Sequence, residues 1–173
     1  MANRGRKKVE ATPEEFKAMA NPLRLRILRL CLHDAQTNKQ IAERLGKDPA
    51  TTLHHVRMLV RTGFLEPQAV RAGQRGALEK PYLATRKSWD LHVSRPEDQA
   101  TELMATVDAF RAEVSELPPE GWIEGTRLGL KLNAASALEL AHRLNDLAHE
   151  YEARPSDPDG EAHGLFISLH KLA

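Results

Sequence analysis

The chain has 173 residues, of which 41% are hydrophobic, and its formal net charge is +1. That length fits one domain or two small ones, and the apolar content is sufficient for a buried core. No apolar run approaches the ~18 residues of a membrane-spanning helix, and no apolar segment follows the basic start as in a secretory signal. Cys31 is the one cysteine, which excludes an internal disulfide. These features predict a cytoplasmic protein.

The small net charge hides an uneven distribution along the chain. Residues 1–92 carry 18 basic and 9 acidic side chains, whereas residues 93–173 carry 7 basic and 15 acidic ones. A basic half can neutralise phosphates, and an acidic half is repelled by them. The split favours nucleic-acid binding by the first half and another role for the second. The alternative is a chance difference between two solvated surfaces.

A basic arm and two short helices are predicted at the start of the chain. Residues 1–10 are predicted to form a flexible arm, which is either a solvated tail or a contact to the minor groove or to phosphates of DNA. Thr12-Pro13 and Asn21-Pro22 each combine an N-cap residue with proline at the first helical position. Each pair therefore predicts the start of a helix.

The second of these helices carries three arginines and ends near Cys31. We expect Arg24, Arg26 and Arg29 to form mostly a solvated face, with one of them at most touching a phosphate. Cys31 lies in the apolar stripe of the helix. A soft metal ion needs several sulfur ligands, so a single cysteine predicts a buried structural residue and no metal site.

Residues 38–64 predict two helices joined by a tight turn. Gly46 stops the first helix, and Asp48 followed by Pro49 starts the second. Each helix has apolar residues at helical spacing on one side. These inward residues are Ile41, Ala42 and Leu45 in the first helix, and Leu53, Val56, Leu59 and Val60 in the second. The other side of the second helix is polar and basic, which is the pattern of a recognition helix in the DNA major groove.

A hairpin with a basic tip is predicted directly after this helix. Residues 64–70 and 80–84 favour short strands, and the glycine-rich loop between them carries arginines. Such a hairpin forms a wing, whose charges can hold DNA phosphates.

In this order and spacing, residues 18–85 resemble the winged helix-turn-helix regulators of the ArsR type. The resemblance is carried by residues 20–28, by Ile41-Ala42-Glu43-Arg44-Leu45, by His54-His55-Val56-Arg57-Met58-Leu59, by Gly63-Phe64-Leu65 and by Glu79-Lys80-Pro81-Tyr82-Leu83-Ala84-Thr85. It implies a DNA-binding transcriptional regulator, usually a repressor, that dimerises through the helix after the wing. Some relatives bind zinc through an Asp-x-His pair similar to Asp90 and His92, but residues 103–106 lack the required partners. Neither a metal nor another cofactor is predicted.

The predicted partner is double-stranded DNA, contacted from the second helix and from the wing. Base and nearby phosphate contacts are expected from Lys47, Thr51, Thr52, His54, His55 and Arg57. Contacts of the wing are expected from Arg71, Gln74, Arg75 and Lys80. In a dimer, two recognition helices would meet successive major grooves about 34 Å apart.

The second half of the chain predicts a long helix and then a strand–helix–strand unit. A helix from Pro96 to about residue 117 carries Leu103, Val107, Phe110 and Val114 on one face. That stripe is either a dimer contact or packs on the C-terminal segment of its own chain. Residues 127–132 and 165–170 predict two parallel strands around a helix over residues 134–154.

The predicted fold class is therefore α+β. It consists of the arm (1–10), a winged helix-turn-helix domain (11–92), a long helix with a linker (93–120) and a strand–helix–strand unit (121–173). The last unit either serves only to join two subunits into a homodimer, or it also forms a pocket for a small-molecule effector that the sequence does not identify.

A winged helix can also serve as a protein-interaction module or bind RNA, so this second class of function stays open. The basic outward face of the second helix argues against a pure protein contact. The chain has no G-x-S-x-G motif, P-loop or dinucleotide fingerprint, and no helix start follows the glycines of the wing. An enzyme is not predicted.

Overall fold

The computed structural model describes residues 8–73 and 77–172 of the chain. It is α+β, as predicted, and it divides into two compact units, one ending at Pro118 and the other beginning at Pro119. The first unit contains β1 (Val9–Glu10), α1 (Pro13–Met19), α2 (Pro22–Leu30), β2 (Gln36–Thr37), α3 (Asn38–Leu45), α4 (Pro49–Arg61), β3 (Leu65–Pro67), β4 (Arg71–Ala72), β5 (Leu78–Glu79), β6 (Pro81–Ala84), β7 (Leu91–His92) and α5 (Pro96–Ser115). The second contains α6 (Ala134–Glu152). Short 3-10 turns cover Lys87–Asp90 and Pro119–Gly121.

Side-chain caps fix where the helices of the first unit begin. The capping residues of α1 to α4 are Thr12, Asn21, Thr37 and Asp48. Asp48 is typical, because its Oδ1 accepts the backbone N–H groups of Ala50 at 2.8 Å and Thr51 at 3.1 Å. These N–H groups have no partner within the helix, so the carboxylate stabilises the first turn of α4.

The turn between α3 and α4 is held from both sides. Gly46 ends α3 with φ +59°, a left-handed conformation that a residue with a Cβ adopts only under strain. Asn38, at the start of α3, donates from Nδ2 to the backbone oxygen of Pro49 at 2.9 Å. The angle between the two helices is thereby fixed by a backbone turn and a side-chain bond.

The core of the first unit lies between α2, α3, α4 and the strand that follows α4. Its buried side chains come from every one of these elements, and the largest of them are less than 2% exposed. The fully buried members include Ile27, Ile41, Val56, Leu59, Phe64 and Leu65. The two apolar stripes that the sequence predicts for α3 and α4 therefore meet across this core.

The predicted wing is present. β3 pairs antiparallel with β6, and β4 pairs antiparallel with β5 at the tip. β2 pairs with the other side of β6 and adds a third strand to the sheet. The sequence did not indicate β2, because this strand is only two residues long.

One prediction at the edge of this domain was wrong. Val9 and Glu10 belong to the predicted flexible arm, but they pair in parallel with Leu91 and His92 of β7. A 3-10 turn that contains Trp89 leads into this two-residue strand. The pairing is between segments 82 residues apart, so local pattern could not reveal it. Residues 1–7 of the arm lie outside the described residues.

The arginines of α2 differ in exposure. Arg29 is exposed, as expected, but Arg24 is only 8% exposed, because its guanidinium group contacts the end of α1 and His55 of α4. Arg26 pairs with Glu116, just beyond α5, and Arg29 Nε lies 3.3 Å from Glu113 Oε1. These two ion pairs form because α5 packs on α2. The long helix is thus part of the first unit, beyond the boundary at residue 92.

The second unit forms the predicted helix but not the predicted strands. Asn133 caps α6 by accepting the N–H of Ser136 at 2.8 Å. Among its described residues, neither 127–132 nor 165–170 is part of a strand. A strand exists only when its backbone groups pair with a neighbour, and two strands with one helix are marginal alone. No helix among the described residues is long and apolar enough to cross a membrane.

We expect Asp48→Ala to lower the free energy of unfolding by about 1 kcal/mol, since it removes the cap of α4. Urea denaturation followed by circular dichroism measures the loss. Asp48→Asn is the matched control, because its amide oxygen keeps an acceptor for the same N–H groups. Equal losses in the two variants would show that the cap is not the cause.

Candidate nucleic-acid interface

The two faces of α4 differ sharply in burial. Val56 and Leu59 are fully buried, whereas Thr51, His54 and Arg57 are exposed. Because a helix turns by about 100° per residue, His54 and Arg57 lie one turn apart on the same outward side. The core therefore holds α4 so that its polar, basic side faces away from the domain.

Thr52 was predicted to contact DNA, but its burial excludes this contact. It is fully buried, and its Oγ1 donates to the backbone oxygen of Asp48 at 3.0 Å. Position 52 lies on the same side of α4 as Val56, which the sequence spacing also implies. Thr52 is therefore a structural residue with no access to DNA.

Arg61 is a residue that the predicted set omitted. It is exposed at the last position of α4 and continues the outward stripe of His54 and Arg57 by one more turn. Its spacing from Arg57, four residues, was the signal that would have found it.

Four exposed cations of α4, of the turn before it and of the wing have no ion pair among the described residues. Lys47 and Lys80, like Arg57 and Arg61, are exposed and form no ion pair with any described residue. A cation without an acidic neighbour is available to a phosphate, and releasing its counterions favours binding.

The described part of the wing carries one arginine, Arg71. It is exposed, but its Nε lies 3.9 Å from Glu79 Oε2 on the paired strand, so part of its charge is balanced. An exposed pair at that distance is weak, and a phosphate can compete for the arginine. Gln74 and Arg75, the predicted contacts at the tip, lie outside the described residues.

Hydrogen bonds join the end of α4 to the chain that leaves the wing. Thr85 Oγ1 donates to the backbone oxygen of Gly63 at 2.8 Å, and Lys87 Nζ donates to that of Thr62, also at 2.8 Å. Lys87 also pairs with Glu15 at 2.5 Å, which links α1 to the same point. The end of α4 and the base of the wing are therefore attached to one another by short contacts.

His55 lies at the side of α4 and is partly buried. Its Nδ1 lies 3.4 Å from Nη1 of Arg24 on α2. Burial, the charge of Arg24 and the neighbouring His54 all lower the pKa of His55, in that order of importance. The ring is thus neutral at neutral pH, and it is not one of the free positive charges of the surface.

Cys31 is buried, as predicted, and burial raises the pKa of its thiol to about 12. A thiol in this state is neither a ready metal ligand nor a nucleophile. Across residues 8–73 and 77–172, no three His, Cys, Asp or Glu side chains are grouped as metal ligands.

A family model described as a helix-turn-helix domain matches residues 19–68. Comparison with curated proteins gives no significant match. Two mutant structures of Lactococcus lactis ZitR are each 16% identical to the chain; they cover 78% and 83% of it, over 82% and 80% of their own chains, at TM-scores of 0.33 and 0.34. The transcriptional regulator Tm0710 from Thermotoga maritima is 14% identical, over 83% of this chain and 80% of its own, at a TM-score of 0.30. TM-scores this low do not establish a common fold. The family match and the described elements show a helix-turn-helix domain followed by a wing.

Since the folded state lowers the pKa of His55, unfolding takes up a proton between that lowered value and the ordinary value of about 6.5. The stability that the neutral ring contributes is present above this range and is lost as pH falls through it. We expect the difference in unfolding free energy between the wild type and His55→Asn to shrink from about pH 7.5 to about pH 5.5. Urea titrations at both pH values measure it, and a constant difference would contradict the assignment.

Proposed function

We propose that the chain is a sequence-specific DNA-binding transcriptional regulator, and that it acts as a repressor. The observation that carries this proposal is the outward face of α4, where His54, Arg57 and Arg61 are exposed while Val56 and Leu59 on the opposite side are fully buried. A helix-turn-helix places its second helix in the major groove, and the unpaired cations beside it can hold phosphates. A regulator of chromosomal genes would work in the cytoplasm.

We further propose that the protein is a homodimer joined through α5. Ala105 and Ala109 are the buried residues of this helix. At 100° per residue, Leu103 and Val107 lie on the opposite side from them, in the stripe that the sequence predicted. Leu103 remains 42% exposed and its neighbour Met104 57%. A second copy would cover this face and would pair two α4 helices with two half-sites on DNA.

The role of the acidic second unit belongs to the same proposal. Leucines of the segments 127–132 and 165–170 are exposed, for example Leu128 at 70% and Leu165 at 67%. Such apolar surface needs a cover, and in a dimer the partner subunit can supply it. We propose dimerisation as its role.

The first experiment is selection of duplexes from a random pool by the full-length chain, followed by binding to the selected duplex and to a random one at several salt concentrations. We expect tighter binding to the selected duplex and a steep loss of affinity as salt rises, since several phosphates are neutralised. Weak binding to both duplexes that ignores salt would contradict DNA binding and would favour a protein-interaction module.

In the same assay, Arg57→Ala should reduce discrimination, whereas Arg75→Ala should weaken binding to both duplexes alike. A lost base contact costs about 1–3 kcal/mol on the selected duplex, but a lost phosphate contact does not depend on sequence. An equal loss on both duplexes for Arg57→Ala would remove Arg57 from the base-reading set.

We expect Leu103→Glu to shift the protein from dimer to monomer, because a carboxylate in an apolar contact is costly to desolvate. Sedimentation velocity measures the mass. Thr101→Glu is the matched control, since Thr101 is exposed and lies on the opposite side of the same helix from Leu103. A monomeric wild type, or equal effects of the two variants, would contradict the proposed interface.

A further inference from the structure

Arg24 is an arginine of α2 that works inside the domain. Its Nε donates to the backbone oxygen of Ala18 at 2.6 Å, and its Nη2 donates to that of Lys17. Both oxygens belong to the last turn of α1, where carbonyl groups have no partner within the helix. A cation at this end also interacts favourably with the helix dipole. Arg24 thus fixes the end of α1 with two of its three nitrogens.

The third nitrogen of Arg24 faces the recognition helix. Nη1 lies 3.4 Å from Nδ1 of His55. A guanidinium group has five N–H donors and no acceptor, so this contact is a hydrogen bond only when Nδ1 is the acceptor. An imidazole that accepts at Nδ1 carries its proton on Nε2. The position of Arg24 therefore selects one tautomer of His55.

The proton on Nε2 of His55 has no hydrogen-bond partner among the described residues. No hydrogen-bond acceptor for Nε2 lies among residues 8–73 and 77–172, and the ring is partly exposed. The ring of His54, on the outward side of α4, lies edge-on at 5.6 Å between centroids. His55 thus presents a neutral N–H donor beside the residues that are proposed to meet DNA.

We propose that Arg24 is a positioning residue that holds His55 as the neutral Nε2–H tautomer, and that this N–H donates a hydrogen bond to DNA. The inference rests on the proposed function and deepens it. The acceptor is a phosphate oxygen or an acceptor on a base edge, and both kinds of acceptor suit an N–H donor. Arg24 itself does not contact DNA, because it is buried and its nitrogens are already used.

Electrostatics act in the same direction as the geometry. Protonation of His55 would place an Nδ1–H against the guanidinium of Arg24, which replaces a hydrogen bond by the repulsion of two cations. Three features near the ring disfavour its charged form: its partial burial, Arg24 and His54. The ring therefore stays in the neutral state that the hydrogen bond requires.

The tautomer is tested without DNA. Long-range proton–nitrogen correlation spectra of the full-length, nitrogen-15-labelled chain at neutral pH distinguish a protonated ring nitrogen from an unprotonated one. His55→Asn identifies the signals of His55 by their disappearance. We expect a protonated Nε2 and an unprotonated Nδ1; a proton on Nδ1 would overturn the role of Arg24.

Arg24→Lys tests whether Arg24 is the cause. One ammonium group cannot reach two carbonyl oxygens and a ring nitrogen in the same geometry, so the His55 nitrogens should shift toward the average of the two tautomers. An unchanged tautomer in a folded variant would overturn the positioning role. If the variant does not fold, the wild-type spectra and His55→Asn still decide the proposal.

The donor is tested with the duplex that the wild type selects from a random pool. His55→Asn keeps an acceptor for Arg24 but ends before the position of Nε2, so we expect an affinity loss of about 5–10-fold, as for one hydrogen bond. His142→Asn, in the second unit, is the matched control and should bind like the wild type. Unchanged binding by His55→Asn would overturn the contact to DNA.

The same measurements show whether the acceptor is a phosphate or a base edge. They also test the contact to DNA separately from the role of Arg24. An equal loss on selected and random duplexes assigns the contact to phosphate, and a loss confined to the selected duplex assigns it to a base edge. A wild type that selects no duplex refutes the proposed function and with it the contact to DNA. The spectra would then still show whether Arg24 holds His55.

Discussion

Burial of one side of α4 is the constraint on which the first unit depends. Val56 and Leu59 are removed from water against side chains of α2, α3 and β3, and burying such a side chain contributes about 1.5–3 kcal/mol. Because the helix is rigid, fixing its inner side also fixes which residues face outward. The direction of His54 and Arg57 is therefore a consequence of core packing and needs no separate device.

Buried and paired cations then connect the elements around that core. Arg24 joins the end of α1 to α4, Lys87 joins the start of α1 to the end of α4, and Arg29 joins α2 to α5. The basic half of the chain thus contains two kinds of cation. Some are internal connections between helices, and others, such as Arg57, are exposed without an ion-pair partner among the described residues and are suited to a polyanion.

The two units differ in how completely one chain can bury its apolar surface. The first has a core whose largest residues are less than 2% exposed, whereas α6 in the second has no buried residue. An amphipathic helix without a cover is stabilised little by packing. The first unit therefore forms a core within one chain, whereas α6 of the second unit buries none of its residues.

The sequence by itself determined the helices, their caps and the wing, since Asp48-Pro49, Gly46 and the apolar spacing in α3 and α4 act within a few residues. It also determined most of the outward face of α4, because helical periodicity separates His54 from Val56. Only the tertiary structure decided the roles of Arg24 and Arg26, as well as the pairing of β1 with β7. Their partners are distant in the chain or depend on which side of a helix is covered. The unpaired segments of the second unit show the same limit, because alternation predicts a strand and only a neighbouring backbone makes one.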